Sequence, residues 1–431
     1  MTNLRASHQI IFLIPFYIVF MSFSRGFYNL SAFYILLSTF ILFTVWFLGK
    51  NFKLTSAPVK QIETGLFLIA IFSVITSFFF VKGFYQPDGP ILQFNYIALI
   101  IVLFLTLTFT MQKDSKLLIK YRFAVIVLIS IVIKILIIVA SPHPAIDVFD
   151  SLKKGGEALL EGKNPYNIQY GQVYKNVTPL TYFPYPPGSL LFLAPTVFLF
   201  KDPRVLLIMC QTFTSLLFFM ILRQACRSRR VRELVPILYL YFPMSFFIIE
   251  QSWLDPLAAF LLSLFAYLNL KYTNQKFLKV ITLGLTIIVK QYLPIILLFL
   301  LKNTSKYLKI ICLSTISALI ILLLFYLPNP DKFNVFRTDY PYRFDALTLI
   351  AFMHNNFGIA VPKFVIYALW GSLAMVVLRS RGSKDYQIYL GMSYWLLGFF
   401  FISFIAFVNE YYLSFSTLIL SYTLSFNKPD K

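Results

Sequence analysis

Asp147 and Asp150 follow an apolar run that stops at Ser141-Pro142-His143-Pro144. Two prolines so close together cannot continue a helix, so a carboxylate is expected just past the end of a membrane-spanning stretch, near the bilayer surface. From there it can take a proton from an acceptor hydroxyl while a lipid-linked donor lies alongside. Asp150 shares a helical face with Asp147 if the segment is helical, and the two could hold Mg²⁺ although their spacing does not require it. Further along, Glu250-Gln251-Ser252-Trp253-Leu254-Asp255-Pro256 places two acids on a short turn between apolar stretches. Lys290-Gln291-Tyr292 interrupts another apolar run shortly before Pro294. Arg337, Arg343 and Asp345 lie in the polar segment 328–362, and Asn409-Glu410-Tyr411-Tyr412 separates the last two apolar stretches. Cations so placed can offset the charge of a phosphate, arginine with a planar fork of donors. Glu157 and Glu161 read as solvated loop acids. Lys134, inside an apolar run, leaves two readings open: a structural role with its ammonium drawn toward the interface, or phosphate binding.

The elements that position these residues follow from composition. Of 431 residues, 59% are apolar, 19% aromatic and only 13% charged, with a mean hydropathy of +0.76. So few charges cannot cover a soluble surface of this size, which makes the chain an all-α polytopic membrane protein. Apolar stretches of spanning length fall at roughly 9–24, 30–48, 64–81, 91–111 and 123–140, then 205–222, 234–249, 254–270, 310–327, 363–378, 387–407 and 411–426. The first has a basic start but no small-residue cleavage site and reads as a retained span. Residues 280–301 read as two short helices meeting at Lys290-Gln291-Tyr292. The run Ser189–Phe200 is short for a span and reads as a helix lying along the interface.

Charge orients this array. With the N-terminus inside and 280–301 counted as two short spans, about fourteen spans leave both ends cytoplasmic. About 24 basic and 5 acidic residues then fall inside, against about 13 and 12 outside, the asymmetry expected of a cell-membrane protein. The net charge of +21 is thus an orienting excess and gives nucleic-acid binding little support. Cys210, Cys226 and Cys312 are far apart, only three histidines occur, and no CxxC or HExxH spacing is present. Disulfide frameworks and His/Cys zinc sites are not expected, and no cofactor is implied.

On the outer side the motifs form an ordered set. Ile146-Asp147-Val148-Phe149, Glu157 to Tyr166 and Phe183-Pro184-Tyr185-Pro186-Pro187 resemble the first outer loop of bacterial membrane glycosyltransferases of the GT-C type. Glu250 to Pro256, Val289-Lys290-Gln291-Tyr292, Tyr342-Arg343-Phe344-Asp345 and Asn409-Glu410-Tyr411-Tyr412 fit in the same order, over roughly residues 123–426. The resemblance implies a GT-C-like catalytic core at 123–431, whose outer loop 141–204 carries interfacial helices, behind a four-span extension at 1–122 that has no functional reading. It implies transfer of a sugar from a polyprenyl-phosphate donor to a lipid or glycan acceptor on the non-cytoplasmic face, with Asp147 as general base. Lys290, Arg343 and, more weakly, Arg337 would hold the donor phosphate. Asp150, Tyr185, Glu250, Gln251, Asp255, Gln291, Tyr292, Asp345 and Asn409 would contact substrate. Glu410 departs from the pattern, which usually has no acid there. The competing functions are a transporter or flippase for lipid-linked sugars, which would show internal repeats and broken helices meeting at mid-bilayer, and a polymerase or ligase for surface polysaccharide.

Overall fold

The structure is a computed structural model that describes residues 8–24, 26–49, 59–110, 116–174, 181–336, 342–380 and 382–427. Arg337, a candidate phosphate ligand, lies outside these residues. The described residues form eighteen α-helices and no strand, in keeping with a polytopic helical membrane protein. Among the described residues, seven stretches are long and apolar enough to cross a membrane: Leu30–Leu48, Lys60–Ser77, Pro90–Leu107, Tyr121–Ala140, Arg204–Ala225, Arg229–Gln251 and Ile295–Tyr326.

Side-chain contacts sort the helix ends into two groups. At one end, the finish of α5 (Lys116–Ala140) meets the start of α8 (Arg204–Ala225), and α11 (Asp255–Lys271) begins beside the end of α12 (Lys276–Ile287) and the start of α18 (Val408–Leu424). At the other end, α3 (Val59–Ser77) and α9 (Arg229–Leu240) begin together through Glu63, Ser228 and Arg230. There too, the starts of α14 (Thr304–Tyr326) and α17 (Asp385–Phe401) are joined by Lys306 and Tyr307 to Asp385. We call the first the site end and the second the basic end.

The stretch 280–301 is resolved by these landmarks. Lys279 lies within electrostatic reach of Lys306 and Asp385 at the basic end, whereas Lys290 lies at the site end beside Asp255. After the turn at 288–294, α13 (Ile295–Leu300) runs back until Lys302 donates to the carbonyls of Val377 and Ser380 at the finish of α16 (Lys363–Arg379). The chain therefore goes out and returns in two short legs. Gly188 seats the turn: its N–H donates to Ile288 O at 2.9 Å, and a Cβ there would press to 2.7 Å from the same oxygen.

Residues 1–122 contribute α1 (His8–Ser24), α2 (Leu30–Leu48), α3, α4 (Pro90–Leu107) and the start of α5, all packed into the same bundle as the rest. Tyr17 of α1 is 2.7 Å from Ser414 of α18, and Phe47 of α2 stacks on Tyr394 of α17. Ser73 and Ser77 of α3 both donate to Tyr241 O, at 2.9 and 2.6 Å. That carbonyl is free because Pro243 breaks the rod between α9 and α10 (Met244–Gln251). In an apolar bundle a freed carbonyl needs an internal donor. Leu240 O takes Ser245 Oγ at 2.6 Å and Lys134 Nζ at 3.4 Å. The buried lysine thus faces the carbonyl end of α9, where a cation is favoured.

On the site end lie α6 (Asp147–Leu160) and α7 (Leu190–Phe200), packed on each other, and α15 (Leu349–Phe357) beside α2. Leu190, Leu193 and Val197 of α7 are buried while Phe198, Leu199 and Phe200 are exposed, a short helix with one face on the protein and one outward. Setting aside α6, α7 and α15, and taking α9 with α10 as one broken rod, the described residues pass along the bundle fourteen times.

One fully buried arginine ties the site-end loop to the bundle. Arg204 donates through its fork to Asp202 at 2.6–3.2 Å and to Ser141 O at 2.8 Å, which fixes the finish of α5 six residues before Asp147. Arg204→Ala removes the fork and leaves Asp202, part-exposed, with only the backbone N–H of residue 204. It should destabilise the protein by on the order of 3 kcal/mol. The measurement is the thermal unfolding midpoint in detergent, and an unchanged midpoint would show that the tie is dispensable.

Candidate functional site

The site end holds two groups of polar side chains, one buried and one on the rim. The buried group centres on Asp255, the first residue of α11, where a carboxylate also meets the positive end of the helix. Lys290 Nζ donates to both its oxygens at 3.1 Å, Tyr292 Oη to Oδ1 at 3.2 Å and Asn409 Nδ2 to Oδ2 at 3.0 Å. Asp255 is fully buried and the Lys290 side chain only 5% exposed. Three segments far apart in sequence are thereby joined, and the arrangement corrects the role given to Lys290. Its ammonium is already matched to a carboxylate and closed off from solvent, so it is no open cation for a phosphate. Glu410 lies within reach of the charges of Lys290 and Asp255 and accepts the Phe407 N–H at 2.6 Å.

Other expected substrate contacts are likewise engaged within the protein. Glu250 is fully buried and accepts the amides of Phe84 and Tyr85 at 2.6 and 3.0 Å, and Gln251 Nε2 at 3.0 Å. Gly83 allows this approach, because a Cβ there would collide with the Glu250 carboxylate. Gln291 Nε2 donates to Pro184 O at 2.7 Å and holds the proline-rich loop. Asp150 accepts Gly171 N–H at 2.7 Å and pairs with Lys154 at 2.9 Å, so it braces the loop after α6 and does not share a ligand with Asp147. Glu250, Gln251, Gln291 and Asp150 are thus each engaged by a partner within the protein.

The rim is different. Asp147 begins α6, half-buried, with its Oδ1 accepting Val148 N–H at 2.9 Å and Tyr174 Oη at 3.3 Å. Its Oδ2 has no partner among the described residues. Tyr85, delivered by the Glu250 grip, donates to Ala145 O at 2.9 Å and feels the charges of Glu250 and Asp147. Burial first, then the Asp147 charge, pushes the Tyr174 phenol up to about 12, so it stays a donor at neutral pH. Arg343 makes a two-point pair with Asp345, Nε to Oδ1 at 2.9 Å and Nη2 to Oδ2 at 2.8 Å, both side chains nearly half exposed. Hydrogen bonding to Asp345 chiefly, with the charges of Asp345 and Asp147, holds the guanidinium above its ordinary pKa and keeps it cationic. The Asp345 carboxyl is correspondingly lowered. Arg343 Nη1 stays without a partner among the described residues.

Backbone pairing aims Arg343. Its N–H donates to Phe404 O at 3.0 Å and Leu347 N–H to Ala406 O at 3.1 Å, while Tyr28 N–H donates to Asp345 O at 2.7 Å. The guanidinium lies 4.9 Å from the Phe407 ring centre. Tyr185 lies beside the buried group, its half-buried ring 5.7 Å from Lys290 Nζ. Among the described residues no three His, Cys, Asp or Glu side chains come together as a metal site. Tyr85 and Tyr174 were not expected at the site. The only signal for Tyr85 was the turn-rich break Gly83-Phe84-Tyr85-Gln86-Pro87-Asp88-Gly89-Pro90 between two apolar stretches, and Tyr174 carried none beyond lying in the long loop.

The buried pair gives a test. Asp255→Ala leaves the Lys290 ammonium buried without its carboxylate and should destabilise by on the order of 3–5 kcal/mol. Replacing both, with Asp255→Asn and Lys290→Met, should recover most of that. Thermal unfolding of detergent-purified variants measures both, and equal midpoints for the single and double variants would contradict the pairing.

Compared with protein-family models, curated proteins and solved structures, the chain matches none.

Proposed function

We propose that the protein is a GT-C-like membrane glycosyltransferase that moves a sugar from a polyprenyl-phosphate donor to a hydroxyl of a lipid or glycan acceptor. The observation that carries this reading is the rim: a part-exposed Asp147 with an uncommitted Oδ2, within electrostatic reach of an Arg343 with an uncommitted Nη1. A base and a cation so paired suit a displacement in which a proton leaves one reactant as negative charge builds on another.

In this reading the acceptor O–H gives its proton to Asp147 Oδ2 as its oxygen attacks the anomeric carbon. The bond from that carbon to the phosphate oxygen breaks, and its electron pair leaves with the phosphate. The phosphodiester, with one negative charge, approaches two, and Arg343 offsets the increase through Nη1. Asp345 keeps the guanidinium oriented in advance, so it need not reorganise during transfer. Tyr174 holds Asp147 Oδ1 and leaves Oδ2 to the acceptor. Lys290, matched to Asp255, acts as a positioning residue. Exposed Leu323, Leu324 and Leu327 near the finish of α14, and Phe198 to Phe200 on α7, offer apolar surface for an isoprenoid chain. The basic excess at the opposite end supports a non-cytoplasmic site in a cell membrane.

Asp147→Asn should lower product formation by at least ~10²-fold, read as surface glycans and extracted glycolipids from cells that insert the variant at the wild-type level. Wild-type product from that variant would remove Asp147 from the role of base. Arg343→Lys keeps the charge but not the fork, and should reduce turnover more than donor affinity. Single-turnover and donor-binding assays separate these effects, and a loss confined to donor binding would make Arg343 a simple anchor.

A further inference from the structure

At the basic end a cavity of about 350 Å³ opens between the start of α5, the finish of α8 and the first turn of α9. Arg223, Arg229, Arg232 and Glu233 form its polar wall, and Phe123, Ala124 and Phe219 its apolar one. The two phenylalanine rings stack with centroids 4.8 Å apart. The only carboxylate in this lining, Glu233, is taken by Arg122 at 3.0 Å and by Arg229.

Two cations are left over. Neither the Arg223 nor the Arg232 side chain has a hydrogen-bond or ion-pair partner among the described residues, and the Arg232 Nε is shut away from solvent with nothing to receive its proton. A buried donor on a charged group is costly to leave unsatisfied. Its position adds to the imbalance: Arg229, Arg230 and Arg232 crowd the first turn of α9, the end of a helix that disfavours cations and attracts anions. Glu63 lies 3.7 Å from Arg230 and offsets only part of this. The arrangement is matched by an anion bearing oxygen acceptors.

The apolar wall says what else that anion carries. Phe219 stands one turn before Arg223 on α8, so the stacked rings adjoin the guanidinium. Beyond them Val125 and Leu128 of α5 and Met220 of α8 are exposed, which extends the apolar surface along the bundle. A small, fully hydrated anion would gain nothing from these groups, whereas a phosphodiester attached to acyl chains would use both walls. Basic pockets between spanning helices are suited to such headgroups.

We infer that this cavity binds the phosphodiester headgroup of an anionic phospholipid, with Arg223 and Arg232 on the phosphate oxygens and the chains along Phe123, Phe219 and the exposed faces of α5 and α8. The inference is independent of the chemistry at the site end.

Native mass spectrometry of the full chain in neutral detergent tests it, with dioctanoyl-phosphatidylglycerol, dioctanoyl-phosphatidylcholine and inorganic phosphate as probes. The phosphatidylglycerol should bind more tightly than the choline lipid by on the order of tenfold or more, and inorganic phosphate at equal concentration should not displace it. The double variant Arg223→Gln, Arg232→Gln should lose that preference, and Arg379→Gln, which removes another arginine at the basic end, should keep it. Arg223 is exposed, so Arg223→Gln alone will fold and should weaken binding severalfold if the double variant does not. Equal binding of the two lipids, or unchanged binding in the Arg223→Gln and double variants, would overturn the site. Displacement by inorganic phosphate would overturn the lipid assignment.

Discussion

A carboxylate buried among apolar helices has to be neutralised where it stands, and Asp255 is where that requirement organises this bundle. Its two oxygens are met by donors from the start of α18 and from the turn between α12 and α13. Because Lys290 and Asn409 are themselves buried, neither can move away without leaving a buried charge or amide unpaired. The consequence is geometric. The two short legs around 288–294 are held at the site end, and with them Gln291, which grips Pro184, and Ile288, whose carbonyl seats Gly188. The proline-rich loop that covers the buried group is therefore fixed from beneath.

The same rule accounts for the broken rod of α9 and α10. Pro243 frees carbonyls inside the bundle, and Ser73, Ser77, Ser245 and Lys134 supply the donors. What the break accomplishes lies one helix further on: the last turn of α10 carries Glu250, whose carboxylate holds the amides of Phe84 and Tyr85. The first four helices are thus tied to the site by a carboxylate and by a glycine that lets it come close. Tyr85, from a region that has no counterpart in the GT-C resemblance, ends up touching the carbonyl two residues before Asp147.

Rim and interior divide the labour. At the site end the buried charges of Asp255, Lys290 and Glu250 are matched within the protein and hold geometry. On the rim, Asp147 and Arg343 are each held on one side and open on the other. For the proposed transfer that is the useful compromise, since a group held at one atom keeps its aim while the other atom stays available to substrate.

Much of this was legible in the residues. The scarcity of charge required a helical membrane protein, the prolines after α5 set Asp147 just beyond a helix, and the basic asymmetry separated the two ends. The interruption at Lys290-Gln291-Tyr292 marked a turn between two short legs, because a lysine cannot lie at that depth without a reason. The roles of individual side chains were not legible. Lys290, Glu250 and Asp150 have the residue types that bind substrates, yet each is consumed by a partner 35, 166 or 21 positions away. Tyr174 and Arg204 gave no local signal, and Tyr85 only the turn-rich break around it. Periodicity and charge runs report how a segment meets its solvent, which is a local property. Whether a polar group is satisfied by the protein or left open to a ligand depends on which distant segments arrive beside it, and only the packed bundle decides that.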